Sequence, residues 1–248
     1  MNSPYRQLAR QLLPTPLYQR AQPLYRSFRQ VWTAVTRRLK GQSNTWWDAR
    51  DPEYLRDRFL RDPVDGIDHP SRRWLRAWLT AHPGLRLLDI PCGPGVEYEG
   101  FQRDQVPVHY LGMDATDTML TTCWQKFPDM DIRKGDITRI PLPDRAVDVV
   151  LCRHILEHLD DYRPAVREAV RVARQKVFVV LFRVPTHEER RAIGQGAWDN
   201  RINGSELAAL LESLGCSFTT TQLPYGYDVP EGIEENVIIE VTIPETKA

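Results

Sequence analysis

The chain has 248 residues, with 33 basic and 33 acidic side chains and a formal net charge of zero. That length suits one large domain plus an extension. The charge balance gives no global attraction to nucleic acid or to an anionic surface. No run approaches the roughly 18 apolar residues of a membrane-spanning helix, and no secretory apolar core is visible. Cys92, Cys123, Cys152 and Cys216 are scattered without C-x-x-C spacing, which points to reduced thiols in a cytoplasmic setting.

The neutral total hides a segregation. Residues 1–47 hold eight basic side chains and no acid, which leaves 25 basic against 33 acidic residues after them. Within this stretch Pro23 can open a helix and Gly41 can close one. Between them Leu24, Phe28, Val31 and Val35 recur at helical spacing, with Arg26, Arg29, Arg37, Arg38 and Lys40 mostly off that stripe. The pattern predicts a basic amphipathic helix over 23–40. Three roles stay open for it: a cover docked over an active site, a peripheral contact with an anionic membrane surface, or part of an Arg-rich transit segment. Residues 44–83 are rich in aromatics, including Trp46, Trp47, Trp74 and Trp78. Helices are expected near 52–61 and 70–81, the second opened by Pro70 and closed by Pro83. The reading divides the chain into a helical extension or lid, 1–83, and an α/β domain, 84–248.

That domain opens on an apolar strand, Arg86 to Ile90, running into Pro91-Cys92-Gly93-Pro94-Gly95. Apolar residues closed by Gly and Pro read as a buried strand entering a turn. Glycines suit places where backbone must approach a ligand. A helix from Val96 follows, then a second strand, Val108 to Met113, ending in Asp114, 19 residues beyond Gly95. An acid at that point can accept hydrogen bonds from both hydroxyls of a ribose. The third glycine of a dinucleotide fingerprint is missing, which makes a nicotinamide site a poor match.

The motifs run on in order. Lys134-Gly135-Asp136-Ile137 precedes Ile140-Pro141-Leu142-Pro143-Asp144, and a fourth strand, Ala146 to Cys152, precedes Arg153-His154-Ile155-Leu156-Glu157-His158-Leu159. Together with Asp89-x-x-x-Gly93-x-Gly95 and Gly112-Met113-Asp114, this series resembles the class I S-adenosylmethionine-dependent methyltransferases, over about residues 84–243. The departure is Pro91, which stands where that family has its first glycine and removes one backbone N–H. The resemblance implies a Rossmann-like α/β fold with a seven-stranded, mostly parallel sheet carrying an antiparallel edge strand. It implies S-adenosylmethionine as cofactor, with Cys92, Gly93 and Gly95 in its loop and Asp89 orienting that loop and reaching the amino group. Asp114 would take the ribose, Asp136 the adenine amino group, and Met113 and Ile137 the adenine faces.

His154-x-x-Glu157-His158 also fits a zinc-peptidase pattern with two histidines on one helix face. Its place directly after an apolar strand argues for cofactor-side histidines and no metal. Further on, a fifth strand is expected over 176–182 and a long connection over 183–202, the kind that often forms a lid or binding loop. Asn203 with Glu206 signals a helix start, and 218–223 with 236–243 an antiparallel pair at the sheet edge. Ligands of open α/β sheets bind beyond the carboxyl ends of strands. This places Arg153, His154, His158, Arg183 and His187 near an acceptor, with Trp46 and Trp47 as further pocket candidates. A histidine, with an ordinary pKa of about 6.5, suits proton removal, and His154 is the first choice for general base. The expected activity is O-methylation of a small-molecule, lipid-linked or sugar- or quinone-type acceptor, with no nucleic-acid partner. A catalytically inactive cofactor-binding or partner protein is the alternative, and a zinc peptidase the remote one.

Overall fold

The computed structural model describes residues 66–182, 184, 188–194, 197–223 and 236–245. The amphipathic helix expected over 23–40, the helix over 52–61, and Trp46, Trp47, Arg183 and His187 lie outside these residues.

Helix α1 spans Pro70–Ala81. Pro70 fits its first turn because the missing N–H has no helical partner there, and His69 caps it by accepting the Ser71 N–H on Nδ1. Strand β1 (Arg86–Asp89) leads through the glycine loop into α2 (Val96–Arg103), and β2 (His109–Asp114) leads into α3 (Asp117–Lys126). Short β3 (Ile132–Lys134) and central β4 (Val147–Arg153) follow. A 3-10 turn, Leu156–His158, precedes α4 (Arg163–Val172) and β5 (Ala173–Leu181). The connection beyond β5 forms a small hairpin, β6 (Ala192–Gly194) and β7 (Ala197–Trp198). Helix α5 (Gly204–Ser213) is capped as expected, Asn203 Oδ1 accepting from the Ser205 N–H at 2.9 Å. Strands β8 (Ser217–Leu223) and β9 (Asn236–Thr242) close the domain.

Seven strands form one sheet in the order β3-β2-β1-β4-β5-β9-β8. β1 to β5 pair in parallel, whereas β9 runs antiparallel to both β5 and β8. The expected pair at the edge is therefore present, with β9, the antiparallel member, lying inside β8. The strand order reverses between β1 and β4. Such a switch point opens a crevice at the carboxyl ends of the strands, where α/β sheets take ligands.

Both faces are covered, as a parallel core requires. Alternation along β4 sends Val150 and Cys152 to the face packed by α4 and α5, and Val149 and Leu151 to the face packed by α1 and α2. On the second face, Trp74 and Trp78 present edges to Phe178 at ring separations of 5.5 and 4.9 Å. α1 is thus part of the sheet's own packing.

Gly112 is required by crowding. A Cβ there would lie 2.8 Å from Met130 Cε, 3.1 Å from Tyr110 Cε1 and 3.2 Å from Cys92 Cβ. Gly112→Ala should lower the free energy of unfolding by about 1–3 kcal/mol, the usual cost of overpacking. Urea denaturation checks this, and an unchanged midpoint would mean that Met130 yields without cost.

Candidate active site

The loop after β1 is built by backbone hydrogen bonds on either side of Pro91, which follows a cis peptide. The Ile90 N–H donates to the Leu151 carbonyl at 3.0 Å, and the Cys92 N–H to the Met113 carbonyl at 2.8 Å. Gly93 and Gly95 both have positive φ, 53° and 83°, a conformation side chains resist. Gly95 is also the N-cap of α2, so the loop delivers the positive end of that helix to the crevice.

Asp114 ties this loop to β2. Its Oδ2 accepts the Gly93 N–H at 3.1 Å, while Oδ1 accepts from the Thr116 N–H and hydroxyl at 2.8 and 2.7 Å. These bonds hold the carboxylate in place beside the glycine loop. Asp136 behaves similarly but is exposed, its Oδ1 accepting from the backbone N–H and the hydroxyl of Thr138. Ile137 is buried beside it. Met113 differs from expectation. Its side chain is fully buried in the core with Ile137 and Leu88, because position 113 faces into the sheet packing. It serves the loop through its carbonyl and not through an adenine contact.

Cys92 and Cys123 are buried, and both thiols approach the Gly93 carbonyl, at 3.8 and 3.2 Å. The hydrogen-bonding interaction with Cys123, then burial, push the Cys92 thiol well above its usual range. Cys92 therefore stays protonated and acts as packing beneath the loop.

A cluster of buried charge lies below the same loop. Arg72 Nη1 contacts Glu97 Oε1 at 2.6 Å, with both side chains about 95% buried, and Arg153 Nε lies 3.9 Å from the same oxygen. Arg153 Nη1 donates to Ser71 Oγ at 2.8 Å, and that oxygen in turn meets His69 Nδ1 at 2.8 Å. Asp89 is next to this cluster and accepts the Tyr110 hydroxyl at 2.7 Å. Burial, then the charge of Glu97, push the Asp89 carboxyl up to about 8, against the pull of Tyr110, Arg72 and Arg153. Arg153 is therefore not spread along an acceptor surface as expected. Alternation along β4 puts it on the Val149–Leu151 face, toward α1.

Arg72 and Glu97 were not singled out from the sequence. The signal was present in α1, where Arg72 and Arg76 share the buried stripe of Leu75 and Leu79. A charge on an apolar stripe needs a buried partner.

His154 leaves β4 with φ of 46°, and its ring stacks on Phe182 at 3.8 Å and 13°. Both ring nitrogens are screened from solvent. Burial alone would raise the Glu157 carboxyl, but the hydrogen bond and charge of His154, with the charge of His158, hold it below its usual range. Glu157 Oε1 also accepts the Phe182 N–H at 2.9 Å. His158 Nδ1 instead meets the Trp198 carbonyl at 2.8 Å. The H-x-x-E-H string thus spans a strand end and a 3-10 turn, so its histidines do not share a helix face. Among the described residues no group of three or more His, Cys, Asp or Glu side chains is arranged to hold a metal.

Residues 88–181 match the family described as a methyltransferase domain. The matched region is thus similar to methyltransferase domains, and the motifs within it resemble those of the class I S-adenosylmethionine-dependent methyltransferases. A probable S-adenosylmethionine-dependent methyltransferase of Mycolicibacterium smegmatis is 32% identical over 53% of this chain and 52% of its own length. The demethylmenaquinone methyltransferase of Renibacterium salmoninarum is 30% identical over 50% of this chain and 53% of its own. The chain spans about half the length of these relatives. Among solved structures, the 1,6-didemethyltoxoflavin-N1-methyltransferase of Burkholderia thailandensis has a TM-score of 0.57 at 16% identity, covering 78% of this chain and 87% of that one. It shows the shared methyltransferase fold.

The residues present fit the cofactor of this family. Glu97 Oε2 is buried with no hydrogen-bond partner among the described residues, which favours an incoming donor such as an ammonium group. Gly93 leaves open space above the loop, whereas a Cβ at Gly95 would lie 3.0 Å from the Phe127 ring.

Because the Asp89 carboxyl is raised in the folded state, the unfolded chain loses that proton first as pH rises. Between about 4 and 8 the folded state binds more protons, and stability falls with pH. Asp89→Asn keeps an acceptor for Tyr110 and removes the titration. Its stability relative to the native protein should therefore increase from pH 5 to pH 8 and then level off. Urea titrations across that range check the slope, and a constant difference would contradict it.

Proposed function

We propose that this chain is an S-adenosylmethionine-dependent methyltransferase that methylates an oxygen of a small-molecule, lipid-linked, or sugar- or quinone-type acceptor. The observation that carries the cofactor reading is the Asp114–Gly93 hydrogen bond, which joins a left-handed glycine loop to the second strand at the switch point. Asp114 would hold the ribose, Asp136 the adenine amino group with Ile137 beside the ring, and Asp89 with Glu97 the ammonium of the methionyl part. When bound, the cofactor supplies an activated methyl group.

The protein's own task is to orient the acceptor and take its proton. His154 is the proposed proton acceptor. Its left-handed backbone turns the ring onto Phe182 at the carboxyl end of β4, and Glu157 lies against it as an orienting carboxylate. With both nitrogens screened from bulk water, a proton taken there would come from a bound acceptor. The acceptor class draws support from the demethylmenaquinone methyltransferase relative and from the basic stretch before residue 48, which suits an acceptor that partitions into membranes.

Calorimetry of the full chain with S-adenosylmethionine and S-adenosylhomocysteine tests the cofactor reading. Asp114→Ala should weaken binding about 10- to 100-fold, the cost of losing charged hydrogen bonds at a site. Equal affinity in the variant would contradict the assignment. Turnover is then measured over a panel of quinols, glycolipids and sugars. His154→Ala should reduce turnover by about 10²- to 10⁴-fold with cofactor affinity unchanged. A parallel loss of cofactor binding would make His154 structural, and cofactor binding without turnover on any acceptor would favour a binding protein.

A further inference from the structure

The two histidines of the H-x-x-E-H string face different neighbours, and the second faces the hairpin β6–β7. Strands of three and two residues do not hold a position by themselves. Their flanks are paired, the Glu189 and Arg201 backbones exchanging hydrogen bonds at 3.0 and 2.8 Å and the Asp199 N–H reaching the Arg191 carbonyl at 2.9 Å. What fixes the unit on the domain is the turn after β4. The Asn200 N–H donates to the Glu157 carbonyl at 2.8 Å, and Asn200 Nδ2 to the Leu159 carbonyl at 2.7 Å. Asn200 Oδ1 accepts the Arg191 N–H at 3.1 Å, so one side chain joins both flanks of the hairpin to the turn. Arg190 adds a bond to the Asp160 carbonyl at 2.9 Å and lies over the Trp198 ring at 4.8 Å.

The His158 contact fixes a proton. A carbonyl oxygen can only accept, so the 2.8 Å contact with Trp198 requires a hydrogen on Nδ1. That bond exists in the neutral Nδ1–H tautomer and in the imidazolium alike.

We propose that His158 and Asn200 are positioning residues that hold the β6–β7 hairpin against the carboxyl end of β4 and β5, where it forms a fixed wall of the acceptor site. The glycine loop occupies the β1–β2 side of the same sheet end, and the His154–Phe182 stack marks the β4–β5 side. The half-buried Trp198, steadied by Arg190, is the rigid surface this wall offers. The acceptor role rests on the methyltransferase reading. The anchoring does not.

The test is amide hydrogen exchange of the full-length protein at Glu189, Asp199, Asn200 and Arg201. His158→Ala and Asn200→Ala should each speed exchange at these amides about ten-fold, the effect of one lost hydrogen bond. Amides of β4 and β5 and the affinity for S-adenosylhomocysteine should stay as in the native protein. His158→Asn, whose amide nitrogen falls close to the Nδ1 position, should restore protection. Native-like exchange in His158→Ala, or equal loss in His158→Asn, would overturn the anchoring. Failure of S-adenosylhomocysteine to bind the native protein would count against the methyltransferase reading alone. With an acceptor that turns over in the panel above, His158→Ala should raise KM about ten-fold with kcat retained, and His158→Asn should restore KM. Loss of kcat in His158→Asn with exchange protection intact would make His158 catalytic and overturn its positioning role.

Discussion

Glu97 is buried between two guanidiniums, and much of the site depends on that contact. A carboxylate removed from water at the start of α2 is tolerable only beside buried positive charge. Arg72 supplies it from α1 and Arg153 from the end of β4. These two ionic contacts join the element before the sheet, the helix after the glycine loop and the central strand. The raised Asp89 carboxyl belongs to the same arrangement, because burial and then the neighbouring charge of Glu97 both favour its protonated form. Removing Arg72 would leave the Glu97 carboxylate with only the more distant Arg153.

The glycine loop stands on this foundation and is steered from the other side by Asp114. Its amide bonds go to Leu151 and Met113, residues of the two strands that flank β1, and to the Asp114 carboxylate. The loop thus keeps its left-handed glycines although Pro91 occupies the place of the family's first glycine. Gly93 and Gly95 have φ of 53° and 83° with Pro91 in place.

On the acceptor side, a short string divides its tasks. His154 is turned by its backbone onto Phe182 and meets Glu157, while His158 is turned outward to the hairpin. A continuous helix would have placed both rings on one face, as a zinc peptidase needs. The 3-10 turn at Leu156–His158 breaks that relation.

The sequence by itself determined the strand-loop-helix start, the order of motifs, the helix starts at Pro70 and after Asn203 and the acid at Asp114. Each of these is a local rule of spacing, glycine conformation or capping, and local rules survive folding. The tertiary structure decided what no local rule contains. Met113 sits in the core and lends only its carbonyl, and Arg153 turns under the loop because strand alternation continues the face packed by α1. Arg72 and Glu97, 25 positions apart in the chain, meet only when α1 lies on the sheet. The separate fates of His154 and His158 likewise depend on which element each side chain meets. Burial and pairing of charge are properties of packed surfaces, and those surfaces exist only after distant segments come together.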